Sequence, residues 1–376
     1  MKKGFTLIEL LAVIVILAII ALIATPIVLN IINDAKESSL LRSADFYIDA
    51  LENEIMLENM KQGGSFNQNV CNVINENLSC DGKEIALEVD GEVPKGGSIT
   101  FEEGKVTNVN LTYTSGNITM NNKGELVLED IPEPKSFAED SWDTITLNVR
   151  VGNLSKYKVG DTKEITLTSE NTDIAGTYTV RIANTSTLEE CKTKGFSQTA
   201  CGFVIEFEDI ITTHNMNPKG EYKGIQYDSG WNVDGYPASS MYTYLQNDIY
   251  NALPEELKSV IIPTFVVSGH GLTTGEENFI TTDNIYLLSG KEVYGSDSYD
   301  TSATLTRQLD YYSNLGVTTS SYSGAIKKLN GTANYWWLRS AASDLTHAFR
   351  GVSSTGKLYG NSANIIRGVA VAFRIG

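Results

Sequence analysis

The sequence is poor in the side chains that most often carry catalysis or bind metal ions. It has only three histidines, which lie far apart as His214, His270 and His347. No cysteine follows Cys201, and no Gly-x-Ser-x-Gly elbow, Walker-type phosphate loop or HExxH helix is present. These absences weigh against a hydrolase, a nucleotide-dependent enzyme and a zinc enzyme. We therefore expect no catalytic residue, no cofactor and no metal site.

Basic residues are also scarce. Lysine and arginine number 29 against 46 aspartates and glutamates, which gives a formal net charge of -17. A negative field of this size repels the phosphate backbone, so we expect no nucleic acid as a ligand. The plainer interpretation of the acidity is a surface that keeps the protein soluble.

Charge and helix-breaking residues are nearly absent from the start of the chain. Over residues 5–32 the only charged side chain is Glu9 and the only proline is Pro26. A run of about 20 apolar residues spans a bilayer, so this range predicts a membrane helix, with a kink or local melting at Pro26. The small residue Gly4 precedes the apolar run, whereas a secretory signal has its cleavage site after the run. The membrane segment is therefore expected to stay on the mature protein.

The helical pattern continues beyond the apolar run. No proline or glycine occurs from Asn33 to Gln62, and Gly63 and Gly64 then supply the stop. An apolar stripe at three- and four-residue spacing indicates that this half is amphipathic and lies on a folded domain. The stripe consists of Leu40, Ala44, Tyr47, Ile48, Leu51 and Ile55. We predict one continuous helix over residues 5–62.

The four cysteines form two close pairs in the sequence, Cys71 with Cys80 and Cys191 with Cys201. Both spacings are too wide for a C-x-x-C zinc or redox motif. An even number of cysteines in close pairs, on a segment expected outside the membrane, favours two local disulfides. The alternative is four free thiols in a reducing compartment.

Strand patterns follow the first cysteine pair. Alternating apolar residues separated by turn signals predict an antiparallel meander of four or five strands within residues 63–130, the first with Ile85, Leu87 and Val89. Residues 131–135, Ile-Pro-Glu-Pro-Lys, predict a linker.

The remaining range, residues 136–376, mixes strand and helix patterns. Strands are predicted at residues 145–151, 165–167, 178–182, 203–207 and 369–375, and helices after Pro237, after Pro254 and at residues 303–314. The whole chain is thus predicted to be α+β. A long N-terminal helix packs on an antiparallel meander, and a β-rich C-terminal domain with short helices follows.

The charge near the start of the apolar helix indicates how the helix is used. A lone carboxylate in a membrane helix is costly unless it is paired. Glu9 lies one helical turn from Phe5, so an ammonium group freed at Phe5 by cleavage after Gly4 can neutralise it. Neutralisation between neighbouring copies would also set their axial stagger.

The run Lys2-Lys3-Gly4-Phe5-Thr6-Leu7-Ile8-Glu9-Leu10-Leu11 resembles the N-terminal signal of type IV pilins and pseudopilins. The resemblance implies a leader of residues 1–4, cleavage after Gly4 by a prepilin peptidase and N-methylation of Phe5. It also implies that Glu9 takes part in subunit pairing and that the apolar helix polymerises. Pro26 matches the helix-melting proline of that family.

Three segments of the C-terminal domain resemble an uncharacterised bacterial surface module. They are Gly230–Leu245, Asn284–Ser289 and Tyr335–Ser340, followed by a final run in which Ala370 replaces the usual proline. The layout is similar to C-type-lectin-like folds. This resemblance implies a compact domain that displays a variable surface.

Trp336, Trp337 and Arg339 are the candidate binding-surface residues of this domain. The alternative is that both tryptophans lie in the core, because a Trp-Trp pair in a strand must bury at least one ring. His270, between two glycines, is more consistent with a turn than with catalysis. Residues 295–300 offer alternating oxygens to calcium, but the glycine and terminal glutamate of a calcium loop are missing, which favours a solvated loop.

The sequence therefore predicts a type IV pilin-like subunit, minor or at the tip, because so large an added domain would be bulky at every filament position. Before assembly it would be a single-pass protein of the cytoplasmic membrane, and afterwards part of a surface filament. Its expected partners are other pilin subunits, a prepilin peptidase and an unknown glycan or protein ligand. The alternatives are a pseudopilin of a type II secretion or DNA-uptake system and a membrane-tethered surface enzyme.

Overall fold

The computed structural model describes residues 7–61, 70–80, 83–102, 104–272 and 277–376. The chain divides into two compact units, Met1–Ile131 and Pro132–Gly376. Each unit has its own hydrophobic core. The fold is α+β, as predicted.

The first unit begins with one long helix. α1 runs from Leu7 to Lys61, 55 residues, which is about 82 Å at 1.5 Å per residue. The helix continues through Pro26, so the local melting expected there is not seen. Its second half buries the predicted apolar stripe together with Ser43, which confirms the amphipathic pattern. The buried residues of α1 are Leu40, Ser43, Ala44, Tyr47, Ile48, Leu51 and Ile55.

Seven strands in the described part of this unit form one antiparallel sheet. They are β1 (Val70–Ile74), β2 (Asn77–Cys80), β3 (Lys83–Ile85), β4 (Gly96–Glu102), β5 (Lys105–Tyr113), β6 (Gly116–Met120) and β7 (Leu126–Glu129). Their order in the sheet is β3-β2-β1-β4-β5-β6-β7. Ile99, Leu111 and Ile118 are fully buried and share one core with the stripe of α1. The sheet and the helix therefore cover each other's apolar faces.

The first disulfide joins β1 to β2. Cys71 lies directly opposite Cys80 in the ladder, and the two are bonded as predicted. Asn75 and Glu76 form the two-residue turn with φ of 50° and 67°, the left-handed conformation that a tight hairpin of this kind requires. The hairpin itself was not predicted. The strand predicted to contain Ile85, Leu87 and Val89 is only partly formed. Ile85 belongs to β3, whereas Leu87 and Val89 lie outside any strand.

The second unit contains strands and short helices. Its strands are β8 (Thr162–Leu167), β9 (Gly176–Asn184), β10 (Val204–Phe207), β11 (Thr212–His214), β12 (Gly220–Tyr222), β13 (Ile225–Tyr227), β14 (Thr264–Ser268), β15 (Phe279–Asp283), β16 (Tyr286–Leu287), β17 (Lys327–Leu329), β18 (Thr332–Asn334), β19 (Trp336–Ala341), β20 (Ala348–Val352), β21 (Leu358–Ser362), β22 (Arg367–Val369) and β23 (Val371–Arg374). Its helices are α2 (Trp142–Arg150), α3 (Ser240–Tyr244), α4 (Tyr250–Ala252), α5 (Glu255–Lys258), α6 (Gly290–Tyr294) and α7 (Asp310–Asn314). A π-helical turn, Leu245–Ile249, joins α3 to α4.

Two five-stranded sheets organise this unit, in the orders β16-β23-β10-β9-β8 and β11-β22-β19-β20-β21. The final segment of the chain belongs to both. β22 pairs with β11 and β19 in one sheet, and after Ala370 β23 pairs with β10 and β16 in the other. The sequence predicted a single strand at residues 369–375. One strand and two collinear strands have the same apolar alternation, so the pattern could not distinguish them.

The strand predicted at residues 145–151 is wrong, because this range belongs to α2. The Ser141 hydroxyl caps the helix by accepting a hydrogen bond from the Thr144 amide at 3.1 Å. Trp142 and Ile145 are buried one helical turn apart, whereas Leu147 is only half-buried. The hydrogen bond that caps the helix stabilises α2, although the alternation of apolar residues in this range also fits a strand.

The helix predicted at residues 303–314 is split into two pieces. A 3₁₀ turn, Ala303–Leu305, is separated from α7 by residues 306–309. Thr306 is extended, and its hydroxyl donates to the Glu292 carboxylate at 2.9 Å. The other predicted strands of this unit, at residues 165–167, 178–182 and 203–207, are confirmed, as are the helices after Pro237 and Pro254.

Removing the cap of α2 tests whether residues 145–151 form a helix or the strand that was predicted. Ser141→Ala should lower the free energy of unfolding of the second unit by about 1 kcal/mol, because the Thr144 amide loses its acceptor. Ser141→Asp should retain the stability, since a carboxylate caps equally well. Urea unfolding of the full chain in detergent can be followed by tryptophan fluorescence, because Trp142, Trp231, Trp336 and Trp337 all lie in this unit. Equal losses in both variants would contradict the cap.

Candidate functional site

The apolar half of α1 is uncovered. All its side chains from Leu7 to Ser39 are exposed, including those of the large apolar residues. By length and composition the helix can cross a membrane. An apolar helix surface of this size is stable only in a bilayer or against other proteins.

The charged and special residues of the predicted motif fall at the start of this helix. Glu9 lies on α1 and is exposed among apolar side chains. Gly4 and Phe5 lie outside the described residues. Cleavage after Gly4, methylation of Phe5 and the pairing role of Glu9 therefore stay predictions.

The second half of α1 has another apolar surface, opposite the buried stripe. Phe46, Leu57 and Met60 are 53%, 50% and 75% exposed. Their spacing places them on one helix face. We call these three residues the outer stripe. The outer stripe was not predicted, because acidic residues at neighbouring positions made this side of the helix look uniformly polar in the sequence.

The second unit contains a fully buried ion pair. The Arg339 guanidinium and the Glu292 carboxylate are both fully buried, and two donor–acceptor distances of 2.6 and 2.5 Å make the contact bidentate. Arg339 also donates to the Leu287 carbonyl at 2.9 Å, and the Ser289 amide donates to Glu292 at 2.9 Å. Thr199 donates to the same carboxylate. The pair thus connects β19 with α6, β16 and the loop of the second disulfide.

Electrostatics keep both groups of this pair charged. Burial alone would raise the pKa of the Glu292 carboxyl, but the Arg339 guanidinium and the surrounding donors hold that pKa below its usual range.

Part of this arrangement has a signal in the local sequence. Ser289 and Glu292 form a capping box at the start of α6, a pattern that can be read from the sequence.

The prediction that Trp336, Trp337 and Arg339 form a binding surface is wrong. All three are fully buried. The indole N–H of Trp336 donates to the Ala325 carbonyl at 3.1 Å, and that of Trp337 donates to the His214 carbonyl at 3.0 Å. Successive residues of β19 point to opposite faces of the sheet, and both faces are covered. The alternative, that both tryptophans belong to the core, is confirmed.

A second buried charge cluster connects β10 to β9 and β17. The Glu206 carboxylate contacts the Arg181 guanidinium at 2.9 Å and the Lys327 ammonium at 3.0 Å, and it accepts the Tyr312 hydroxyl at 2.8 Å. Burial lowers the pKa of Lys327 to about 8, although Glu206 opposes that shift. No short-range pattern predicts this cluster, since its members lie on segments far apart in the chain.

The carboxylates of residues 295–300, which were possible calcium ligands, accept hydrogen bonds from other groups of the protein. Asp297 contacts Arg350 at 3.3 Å and accepts the Tyr299 amide at 3.1 Å. Asp300 accepts the Ser302 amide at 2.8 Å and the Ser340 hydroxyl. In the described part of the chain no group of three or more His, Cys, Asp or Glu side chains is placed to hold a metal ion.

The second disulfide, Cys191–Cys201, is formed as predicted. It closes the loop between β9 and β10, which contains two short 3₁₀ turns, Glu189–Lys192 and Gln198–Ala200. His270 lies in a loop of the same unit, where its amide donates to the Thr301 hydroxyl at 3.1 Å.

Comparison with protein families separates the two ends of the chain. Residues 1–25 match a family described as a prokaryotic N-terminal methylation motif. This match supports a type IV pilin-like or pseudopilin-like precursor, and it implies processing by a prepilin peptidase and assembly with other pilins.

The other end matches a different family. Residues 208–376 match a family described as a domain of unknown function (DUF6273). No curated protein and no solved structure matches the chain. The resemblance to C-type-lectin-like folds receives no support from these comparisons.

The Arg339–Glu292 pair should behave as a unit in stability measurements. Arg339→Met should lower the free energy of unfolding of the second unit by about 3–5 kcal/mol, because it leaves an uncompensated buried carboxylate. The double variant Arg339→Met/Glu292→Gln should recover part of this loss, since no unpaired charge remains. Urea unfolding monitored by tryptophan fluorescence measures both. A double variant that is no more stable than Arg339→Met would contradict a coupled pair.

The Asp283 carboxyl should make stability depend on pH. It is almost fully buried and accepts the Tyr242 hydroxyl at 2.9 Å, and burial raises its pKa to about 6. A raised folded-state pKa contributes stability at low pH that is lost as the pH rises from about 4 through 6. Relative to Asp283→Asn, the wild type should therefore lose roughly 2 to 3 kcal/mol over this range. Urea midpoints at pH 4.5 and pH 7 test this, and a constant difference between the two proteins would refute it.

Proposed function

We propose that this protein is a type IV pilin-like subunit that assembles through α1 and presents its second unit as a binding module on the bacterial surface. After cleavage behind Gly4, the apolar half of α1 would hold the subunit in the cytoplasmic membrane. In a filament, the same surface would pack against the helices of other subunits. Glu9 would then neutralise the amino group of Phe5 on a neighbouring copy.

The observation that supports assembly most directly is the uncovered apolar surface of α1 on a chain that matches the methylation motif. Membrane lipid can cover residues up to about Ile32, but the outer stripe lies beyond that point. Phe46, Leu57 and Met60 would be left in water by a simple membrane anchor. A filament in which neighbouring helices cover this stripe accounts for its apolar character.

The second unit supports a display role. It has its own cores, and its charge clusters and disulfide order its loops without a partner. A unit larger than the first one suits a minor or tip subunit, because it would be crowded if every filament position carried it. A pseudopilin of a secretion or DNA-uptake system uses the same helix and is the second candidate. We further propose that the unit binds a ligand and does not act as an enzyme.

The outer stripe offers a test that separates assembly from anchoring. In the double variant Leu57→Gln/Met60→Gln, the sheared filament fraction of the native host should contain at least about tenfold less of the protein, because each buried apolar side chain contributes about 1.5 to 3 kcal/mol. Cleavage after Gly4 should be unaffected, since the altered positions are distant. Mass spectrometry of the mature N-terminus checks processing, and immunoblotting of the sheared fraction checks assembly.

Val127→Gln is the matched control, because Val127 is also exposed in the first unit but lies on β7. Peptide mapping of the Cys71–Cys80 disulfide shows that each variant is folded. An unchanged filament yield in the double variant would contradict the role of the outer stripe. A mature N-terminus other than Phe5 would contradict the pilin-like assignment itself.

A further inference from the structure

A cleft in the second unit lies beside the loop of the second disulfide. Its volume is about 470 Å³, within the range of small-molecule sites. Three segments form it: the loop between β9 and β10, α6 with its C-terminal glycine, and α7 with the segment that leads into it. The residues that matter for the argument are Leu188, Phe196, Lys291, Thr304, Arg307 and Ser313.

The walls of the cleft are held in place by bonds that do not involve a ligand. The Cys191–Cys201 disulfide closes the loop that supplies one wall. Arg307 ties this wall to the next, because its guanidinium donates to the Ala200 carbonyl at 2.8 Å and contacts the carboxylates of Glu190 at 3.3 Å and Asp310 at 2.8 Å. The site is therefore largely preformed, which lowers the entropic cost of binding.

One cation of the cleft remains available. Arg307 is neutralised by two carboxylates. The Lys291 ammonium donates to the Gly295 carbonyl at 2.7 Å, and it makes no ion pair with any described residue. In a chain of net charge -17, a lysine that lines a cleft without a carboxylate partner is suited to a single anionic group of a ligand.

The Glu190 carboxylate also lines the cleft, where it pairs with Arg307, and Thr306 and Gln308 complete the polar lining. The side chains proposed to contact a ligand besides Lys291 are of two kinds. Leu188 is 46% exposed and Phe196 only 8%, so the apolar side of the cleft consists of Leu188 and the accessible edge of Phe196. Thr304 and Ser313 are exposed and offer hydroxyl groups on other parts of the lining. A sugar ring matches this combination, because it has an apolar C–H face and a rim of hydroxyl groups.

We propose that the cleft binds an acidic sugar, with its carboxylate on the Lys291 ammonium, its C–H face on Leu188 and Phe196, and its hydroxyls on Thr304 and Ser313. This rests on the proposed display function and gives that function a ligand class. The wall that contains Leu188 and Phe196 precedes residues 208–376, the range that matches the domain family. The apolar side of the site is thus built by a part of the chain outside that match.

Binding can be measured on the full chain in detergent by calorimetry, with glucuronate and N-acetylneuraminate as acidic probes. Glucose serves as a neutral probe and succinate as a carboxylate without a sugar ring. We expect at least one acidic sugar to bind more tightly than glucose and succinate. Lys291→Met should weaken that binding by at least about tenfold, because one charge-assisted contact is lost. Lys291→Arg should restore it to within about threefold of the wild type.

Lys328→Met is the matched control, because Lys328 is an exposed lysine of the same unit that does not line the cleft. Tryptophan fluorescence shows that the variants are folded. The proposal is overturned if neither acidic sugar binds at millimolar concentration, if succinate binds as tightly as the sugars, or if Lys291→Met binds normally. Absent sugar binding with normal filament assembly would refute only this site. Normal sugar binding without assembly would refute only the proposed filament role.

Discussion

The structure of this protein depends on the need to cover one long apolar helix surface. α1 meets this need in two different ways along its length. In its second half the stripe around Tyr47 and Leu51 is covered by the seven-stranded sheet of the same chain. In its first half no described residue of the chain covers the helix, and burial of such a surface requires a bilayer or other proteins.

The second unit consists of many short strands and loops, and other interactions hold these in place. Its two five-stranded sheets share the final segment of the chain, and Ala370 is the point where that segment passes from one sheet to the other. Buried charges then connect the loops to the sheets. Arg339 and Glu292 join β19 to α6, and Glu206 joins its neighbours through Arg181 and Lys327. A packing that separated these partners would leave a charge unpaired in the core, which is costly.

The elements that were predicted correctly share a local origin. The long helix follows from the spacing of apolar residues and the lack of glycine and proline, and each disulfide follows from two cysteines close in sequence. The errors arose where two local patterns coincide or where distant segments decide. Ile145 and Leu147 fit a strand as well as a helix until Ser141 is recognised as a cap. Trp336 and Trp337 are buried because different segments cover the two faces of β19, and no local pattern reports that.

The α+β class, the apolar helix with its methylation motif and the pairing of the cysteines could all be predicted from the sequence, because each depends on residues close together in the chain. The buried charge pairs, the point where the last strand changes sheets and the residues that line a cleft became visible only in the folded structure. Lys291 and Leu188 lie about a hundred residues apart, and their meeting depends on the packing of the loop between β9 and β10 beside α6. Contacts between such distant segments arise from the packing of whole elements, and the spacing of residues along the chain does not encode them one by one.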